Sequence, residues 1–333
     1  MMHKHASPLA LTMGDPAGCG PQITGLAWQQ LRKQVEHTFV VVGPANVYAA
    51  YAPVQVINNL SEAADVFATA LPIFEAGMDI ASHKAGTPDP QNAPAIIGSI
   101  ERGVALAMAG EVSGLVTNPI NKSLLYGHGF KFPGHTEFLA HLTSPSSASL
   151  DPVMMLAGGG LRVALATIHV PLMQVGGMLT QELLSNIGRI THDALERDFG
   201  IHKPRMVFTG LNPHAGEDGS IGTEERDIIN PAASTLRDIG LNIGDARSAD
   251  TVFAEMLDGN YDAIIAMTHD QGLIPVKTLD FWGGVNITLG LPIIRTSPDH
   301  GTAYEAAARG TCRPDSLIAA IELAAENAAR RIS

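Results

Sequence analysis

Three histidines, His169, His214 and His269, share one local context. Each comes just after a short apolar run, in VALATIH, MVFTGLNPH and AIIAMTH, of the length expected for a buried strand. In an open parallel sheet, ligands gather beyond the carboxyl ends of the strands. If the three strands are parallel neighbours, the three imidazoles reach one end of the sheet. Three histidines with an open coordination position suit a divalent metal such as Zn, Co, Ni or Mn. Asp250 and Asp270 are candidates to accept from the imidazole N–H groups. A single such histidine is more often a hydrogen-bonded polar residue at a strand end, so the repetition carries the argument.

The last of the three stands in the stretch Asp262–Arg295, which also supplies Asp270, Lys277, Asn286 and Arg295. Few apolar cores tolerate an amine, an amide and a guanidinium without a polar or charged ligand. Lys277, Asn286 and Arg295, with His135 and Thr136, form a candidate clamp for a phosphate or carboxylate. Thr136 also stands where a helix starts, so it can cap that helix, and the first N–H groups there can hold an anion. A metal beside an anion clamp suits a hydroxyl that must lose its proton, with Lys277 or Asp250 taking it. Oxidation then needs a hydride acceptor. Asp299-His300-Gly301-Thr302, before a helix, is the candidate dinucleotide loop, a weak pattern alone. The glycine-rich turn Gly14–Pro21 lies between a strand and a helix but matches neither GxGxxG nor GxxxxGK[ST]. It reads equally well as a tight connection.

Apolar patterning says what must position these groups. Strands are expected over 8–13, 38–43, 113–116, 205–210 and 262–267, and a hairpin over 152–157 and 161–167 around Gly158-Gly159-Gly160. Helices are expected over 23–33, 92–109 (Ile96, Ile97, Ile100, Val104 and Met108 facing a core), 181–199 and 223–240. Another starts at Asp250, and an alanine-rich helical pattern follows the stretch 296–305 and runs to Ser333. Strands alternating with helices mean an α/β fold with a mostly parallel sheet in each lobe. At 333 residues, two domains are the prior. A composition 45 % hydrophobic and 16 % charged is that of a globular enzyme. A net charge of −12 argues against a nucleic-acid partner, though not against a small anionic substrate. Two cysteines make neither a disulfide framework nor a CxxC zinc site. The first residues, MMHKHASPLALTMGDPAG, lack a signal-peptide pattern, and the uncharged stretches 37–61 and 163–181 are broken by Gly and Pro. A cytoplasmic protein with no membrane partner is expected.

GDPAGCGP (14–21), TNPINK (117–122), FPGHTEF (132–138), TIHVPL (167–172), GLNPHAGEDG (210–219), GTEE (222–225), THDQGLIPVK (268–277) and GVNITLGLPIIRTSPDHGT (284–302) occur in this order. Together they resemble the 4-hydroxythreonine-4-phosphate dehydrogenase family of pyridoxine biosynthesis over nearly the whole chain. The resemblance implies an isocitrate/isopropylmalate dehydrogenase-like fold, not a Rossmann fold, with two α/β/α lobes and a cleft between them. The outer lobe would be 1–126 plus 281–333, with the dinucleotide loop. The inner lobe would be 127–280, with the metal ligands and the dimer contact. It also implies oxidation of 4-phosphooxy-L-threonine by NAD or NADP to a 3-oxo acid that decarboxylates to 3-amino-2-oxopropyl phosphate. One divalent metal ion per active site (Zn, Mg or Co) and a homodimer sharing that site across its interface are implied as well. By motif, His169, His214 and His269 correspond to metal ligands, and His135, Thr136, Lys277, Asn286 and Arg295 to substrate contacts. Asp299, His300, Gly301 and Thr302 correspond to the dinucleotide loop; Lys277, Asp250 and Asp270 are candidate catalytic groups on the reading of the residues alone. Two positions depart from the family: Cys19 stands where an aliphatic residue is usual, and Gln22 where an acid is. Alternatives are a paralogue oxidising a phosphorylated four-carbon sugar acid or a cyclic dihydrodiol, and a metal-dependent aldolase-type lyase.

Overall fold

A computed structural model of the chain describes residues 7–80, 82–132, 134–144 and 151–332. The first six residues of the signal-peptide reading, Pro133 of FPGHTEF and Ser333 lie outside them. Contacts divide the chain into two compact units, Met1–Leu150 with Leu291–Ile332, and Asp151–Gly290. These crossings fall later than the sequence boundaries at 126/127 and 280/281. Two contacts account for the difference: the helix His135–Thr143 packs on the helix Ala93–Met108, and Val285–Leu289 pairs with Val153–Gly158.

Among the described residues, five strands precede residue 150: β1 (Leu9–Thr12), β2 (Phe39–Val42), β3 (Val54–Val56), β4 (Leu71–Phe74) and β5 (Leu115–Val116). Six lie in the second unit: β6 (Val153–Gly158), β7 (Leu161–Leu165), β8 (Met206–Thr209), β9 (Ile243–Arg247), β10 (Ala263–Ala266) and β11 (Val285–Leu289). A last strand, β12 (Arg295–Pro298), returns to the first.

The first unit orders its strands β3-β4-β2-β1-β5-β12, every neighbouring pair parallel. Helices cover such a sheet on both faces, so its strands read as unbroken apolar runs. LALT and FVVV are buried at every position. Each fully buried valine of β2 contributes about 1.5–3 kcal/mol of transfer free energy. The helix Ala93–Met108 buries Ile96, Ile100, Gly103 and Val104, the same face one turn apart. Ile97 is only half-buried and Met108, at the helix end, faces solvent, so the expected core stripe is shorter than the spacing implied.

The second unit orders its strands β11-β6-β7-β10-β8-β9. The pairs β11/β6 and β6/β7 are antiparallel, and β7/β10, β10/β8 and β8/β9 are parallel. The β6–β7 hairpin turns through Gly159 and Gly160, at φ 58° and 86°, where a side chain would strain the turn. Its core joins Leu156, Val163, Val207, Ile264 and Val276. The helix expected from 223 begins as a π-helical turn, Glu225–Ile229, and becomes α-helical over Asn230–Asp238. Among the described residues no helix is long and apolar enough to cross a membrane.

Candidate functional site

In the second unit, β10 lies between β7 and β8, all three parallel. The condition set by the sequence pattern is therefore met, and His169, His269 and His214 all follow carboxyl ends of neighbouring strands. A threonine ladder ties these ends together. Thr167 Oγ1 donates to the Met267 carbonyl (2.7 Å), and the Met267 N–H donates to Thr209 Oγ1 (3.1 Å). Thr209 Oγ1 donates in turn to Gln271 Oε1 (3.2 Å), while Gln271 Nε2 donates to the Gly210 carbonyl (2.9 Å). Thr268 and Gln271 form a reciprocal capping box that starts the helix His269–Leu279. His269 is thus the first helical residue, fixed by the cap.

The His169 and His269 rings lie 5.7 Å apart, centroid to centroid. His269 Nδ1 is 2.8 Å from Asp270 Oδ1. A carboxylate on Nδ1 leaves Nε2 as the ring's outward atom, the usual arrangement of a metal-binding imidazole. His214 sits differently. It begins a left-handed run in which His214, Ala215, Gly216, Glu217 and Asp218 all have φ between 45° and 80°. Non-glycine residues resist this conformation. Glu225 holds the segment: its Oε1 accepts the Asn212 N–H (2.8 Å) and its Oε2 accepts Asn212 Nδ2 (3.0 Å). Asp250 accepts from Ser248 Oγ at 2.5 Å, and that bond, chiefly, holds its carboxyl below the usual range, with His214 adding a small electrostatic part. No group of three or more His, Cys, Asp or Glu side chains placed to hold a metal is found among the described residues. His169 and His269 stand side by side as two imidazoles that could hold a divalent metal.

Beside His269 an open depression of about 430 Å³ is lined by Asp270, Leu273, Lys277 and Phe281, among others. Lys277 Nζ lies 5.8 Å from the centroid of the Phe281 ring. Asn286, on β11, has a buried Oδ1 with no hydrogen-bond partner among the described residues.

The first unit carries a second group. Arg295 opens β12, is 3 % exposed, and donates from Nη2 to Thr117 Oγ1 (2.7 Å) at the end of β5. Burial lowers its guanidinium to about 10, still charged at neutral pH. His135 opens the helix His135–Thr143, and its Nε2 is buried with no hydrogen-bond partner among the described residues. Burial first, then the positive charges of Arg295 and Lys122, hold this imidazole well below the usual histidine range. It is therefore neutral at pH 7. Thr136 is not the cap: Gly134 occupies that position without a side-chain bond, and Thr136 lies one residue inside the helix. Lys122 was not singled out from sequence; its only signal was its place at the end of TNPINK.

The loop 299–302 rests on the glycine turn 14–21. The Cys19 N–H donates to the Thr302 carbonyl (2.8 Å), and Cys19 Sγ donates to the Gly301 carbonyl (3.5 Å). A Cβ on Gly18 would stand 2.9 Å from that Thr302 oxygen, so glycine is required for the approach. Tyr304 donates its hydroxyl to Asp15 Oδ2 (2.5 Å), and the Asp299 N–H donates to Ser316 Oγ (3.0 Å). Gln22 donates from Nε2 to the Gly310 carbonyl (2.8 Å). His300 remains exposed.

The sequence model for the family described as "Pyridoxal phosphate biosynthetic protein PdxA" matches residues 34–324. A 4-hydroxythreonine-4-phosphate dehydrogenase of Caulobacter vibrioides is 53 % identical over 329 residues, covering 97 % of this chain and 98 % of that protein. The crystal structure of 4-hydroxythreonine-4-phosphate dehydrogenase from Klebsiella pneumoniae is 34 % identical, with a TM-score of 0.82, over 97 % of this chain and 100 % of that one. A terephthalate 1,2-cis-dihydrodiol dehydrogenase structure from Burkholderia xenovorans is 27 % identical, with a TM-score of 0.67, over 96 % and 98 % of the two chains.

Proposed function

Because the chain belongs to the pyridoxal phosphate biosynthetic protein PdxA family, we propose that it is a dehydrogenase of 4-phosphooxy-L-threonine. It oxidises the secondary hydroxyl to give 2-amino-3-oxo-4-phosphooxybutanoate, which decarboxylates to 3-amino-2-oxopropyl phosphate. The observation that carries this reading, within that family, is the His169–His269 pair at the ends of adjacent parallel strands. A second copy of the chain completes the donor set that also includes His214. Exposed apolar side chains near the pair support a homodimer: Leu172, Ile274 and Phe281, and Met173 at 94 % exposure.

When bound, NAD or NADP accepts the hydride, and a divalent ion (Zn, Mg or Co) makes the hydroxyl more acidic and steadies the charge as carbon dioxide leaves. The chain's own residues do the remaining work. His135, Thr136 and Arg295 hold an anionic end of the substrate, with Arg295 supplying full charge and His135 a neutral N–H. Asn286 and Lys277 orient the reacting end. Asp270 fixes the His269 ring through Nδ1, and Asp250 steadies His214. Lys277 as the neutral amine, or the Asp250 carboxylate, takes the hydroxyl proton; Ser248 stabilises the charged form of Asp250 and makes it the weaker base. Asp299, His300, Gly301 and Thr302 form the dinucleotide loop, seated on Gly18 and Cys19.

Turnover followed by absorbance of the reduced nicotinamide tests the reading. The panel pairs NAD and NADP with phosphorylated hydroxythreonine, a phosphorylated four-carbon sugar acid and a cyclic dihydrodiol, before and after chelation. The phosphorylated amino acid is expected to be turned over best, with activity lost on chelation and restored by metal. His269→Ala is expected to lose metal binding and turnover together. Full activity of that variant without bound metal would overturn the ligand assignment. Preference for the dihydrodiol would favour the second reading, which the Burkholderia xenovorans structure supports.

A further inference from the structure

We propose that Lys122 is a further substrate-binding residue, and that the anion held at His135, Thr136 and Arg295 is a phosphate dianion. This rests on the dehydrogenase reading above and assigns the phosphate end of the substrate to this group.

The argument begins with charge. A phosphate monoester carries about −1.5 to −2 at neutral pH. Arg295 brings one positive charge to the group. His135 brings none, since it is held neutral between burial and two cations. A carboxylate would be balanced by the guanidinium alone; a phosphate needs a second cation. Lys122 is that cation. It opens the helix Lys122–Tyr126, where Asn121 Oδ1 caps the first turn by accepting the Ser123 N–H (3.0 Å). Its side chain reaches across Gly134, with Nζ 3.4 Å from where a Cβ on that glycine would stand. Gly134 is the residue from which the helix His135–Thr143 starts. The ammonium thus stands at the beginning of that helix, near enough to lower the basicity of the His135 imidazole, whose buried Nε2 has no hydrogen-bond partner among the described residues.

Both short helices pack on the helix Ala93–Met108, so they are held on one support. Glu137 Oε2 lies 2.8 Å from the same Gly134 position on the helix side. A purely structural role for Lys122, as a companion to Glu137, is therefore the competing account, and the test must separate the two.

The test uses the full-length protein with Lys122→Met and Lys122→Arg. Charge-assisted hydrogen bonds of this kind correspond to roughly 10- to 100-fold in affinity. K122M is expected to raise KM for phosphorylated hydroxythreonine by about that factor, with most of the loss in KM rather than kcat. The dissociation constant for inorganic phosphate, measured by calorimetry without cofactor, should rise in parallel. K122R should recover most of both. The melting temperature without phosphate should stay at the wild-type value. Unchanged phosphate affinity in K122M would overturn the proposal, as would a lowered melting temperature that K122R does not restore. If wild-type protein bound phosphate through Lys122 yet turned over no phosphorylated hydroxythreonine, the proposed substrate would fall while the phosphate site stood.

Discussion

Removing the Glu225 carboxylate should release the loop that carries His214. Glu225 is 4 % exposed and makes two bonds to Asn212, to the backbone N–H at 2.8 Å and to Nδ2 at 3.0 Å. Hydrogen bonds to a charged acceptor contribute about 1.5–3 kcal/mol each. Asn212 Nδ2 keeps a second partner, Glu224 Oε2 at 2.7 Å, so that bond is discounted. Glu225→Ala is then expected to cost about 2–4 kcal/mol of local stability. Opposing it, four non-glycine residues, His214, Ala215, Glu217 and Asp218, sit in the left-handed region at about 1–2 kcal/mol each. The loop is therefore poised to relax once its anchor is gone. Hydrogen exchange followed by mass spectrometry on the peptide 210–222 reads this directly. Protection there should fall by roughly 30- to 1000-fold in E225A. Glu225→Gln keeps an oxygen for the backbone N–H and should lose only about tenfold. Protection within threefold of wild type in E225A would refute the view that this carboxylate holds the turn.

Two further predictions follow from titrating groups. His135 is kept well below the usual histidine value by burial, then by Arg295 and Lys122. The unfolded chain gains a proton near pH 6.5 that the folded chain refuses, so this group leaves stability unaffected above that pH. Stability falls as the pH drops below it, by at most about 1.4 kcal/mol per unit. Denaturation of wild type and His135→Asn between pH 8 and 5.5 should show the variant losing less; parallel profiles would contradict the neutral imidazole. At the second pair, the neighbouring Cys19 side chain pulls Cys312 below the usual thiol range, while Cys312 and burial push Cys19 upward. A thiol reagent should therefore label Cys312 at least tenfold faster than Cys19 by peptide mapping, and equal rates would contradict the assignment.

The strands LALT, FVVV and AIIA were legible because parallel strands covered on both faces carry no polar alternation to confuse. β9, IGDAR, was not: it is an edge strand with an alternating, half-exposed pattern and two charges. The helix His269–Leu279 was hidden by Gly272 and Pro275 inside it, although Thr268 and Gln271 carried a readable capping signal. The histidines were legible as residue types following strands. Which of them meet depends on the order β7-β10-β8, set by the pairing of Ile264 with Val163 on one side and with Val207 on the other, both remote in sequence. The left-handed turn at His214 could not be read at all, because Ala215, Glu217 and Asp218 favour other conformations and the anchor lies in another element. Lys122 was overlooked because a lone lysine after a strand is ordinarily a solvated charge; only the fold brings it to Gly134.

The interrupted path of the first unit has a consequence for synthesis. Residues 151–290 leave the ribosome as one unbroken run, whereas the unit begun before them still lacks β12 and the helix Asp315–Ile332 that packs on it. Domains fold as units and usually in the order in which they are made. Here the unit begun first is finished last. A nascent chain stopped at residue 290 already carries His135 and Lys122, but Thr117 waits for its guanidinium partner. Of the residues proposed above to hold the anion, Arg295 is then the last to be made, and a chain stopped at 290 with a well-folded second unit would lack the Arg295–Thr117 bond.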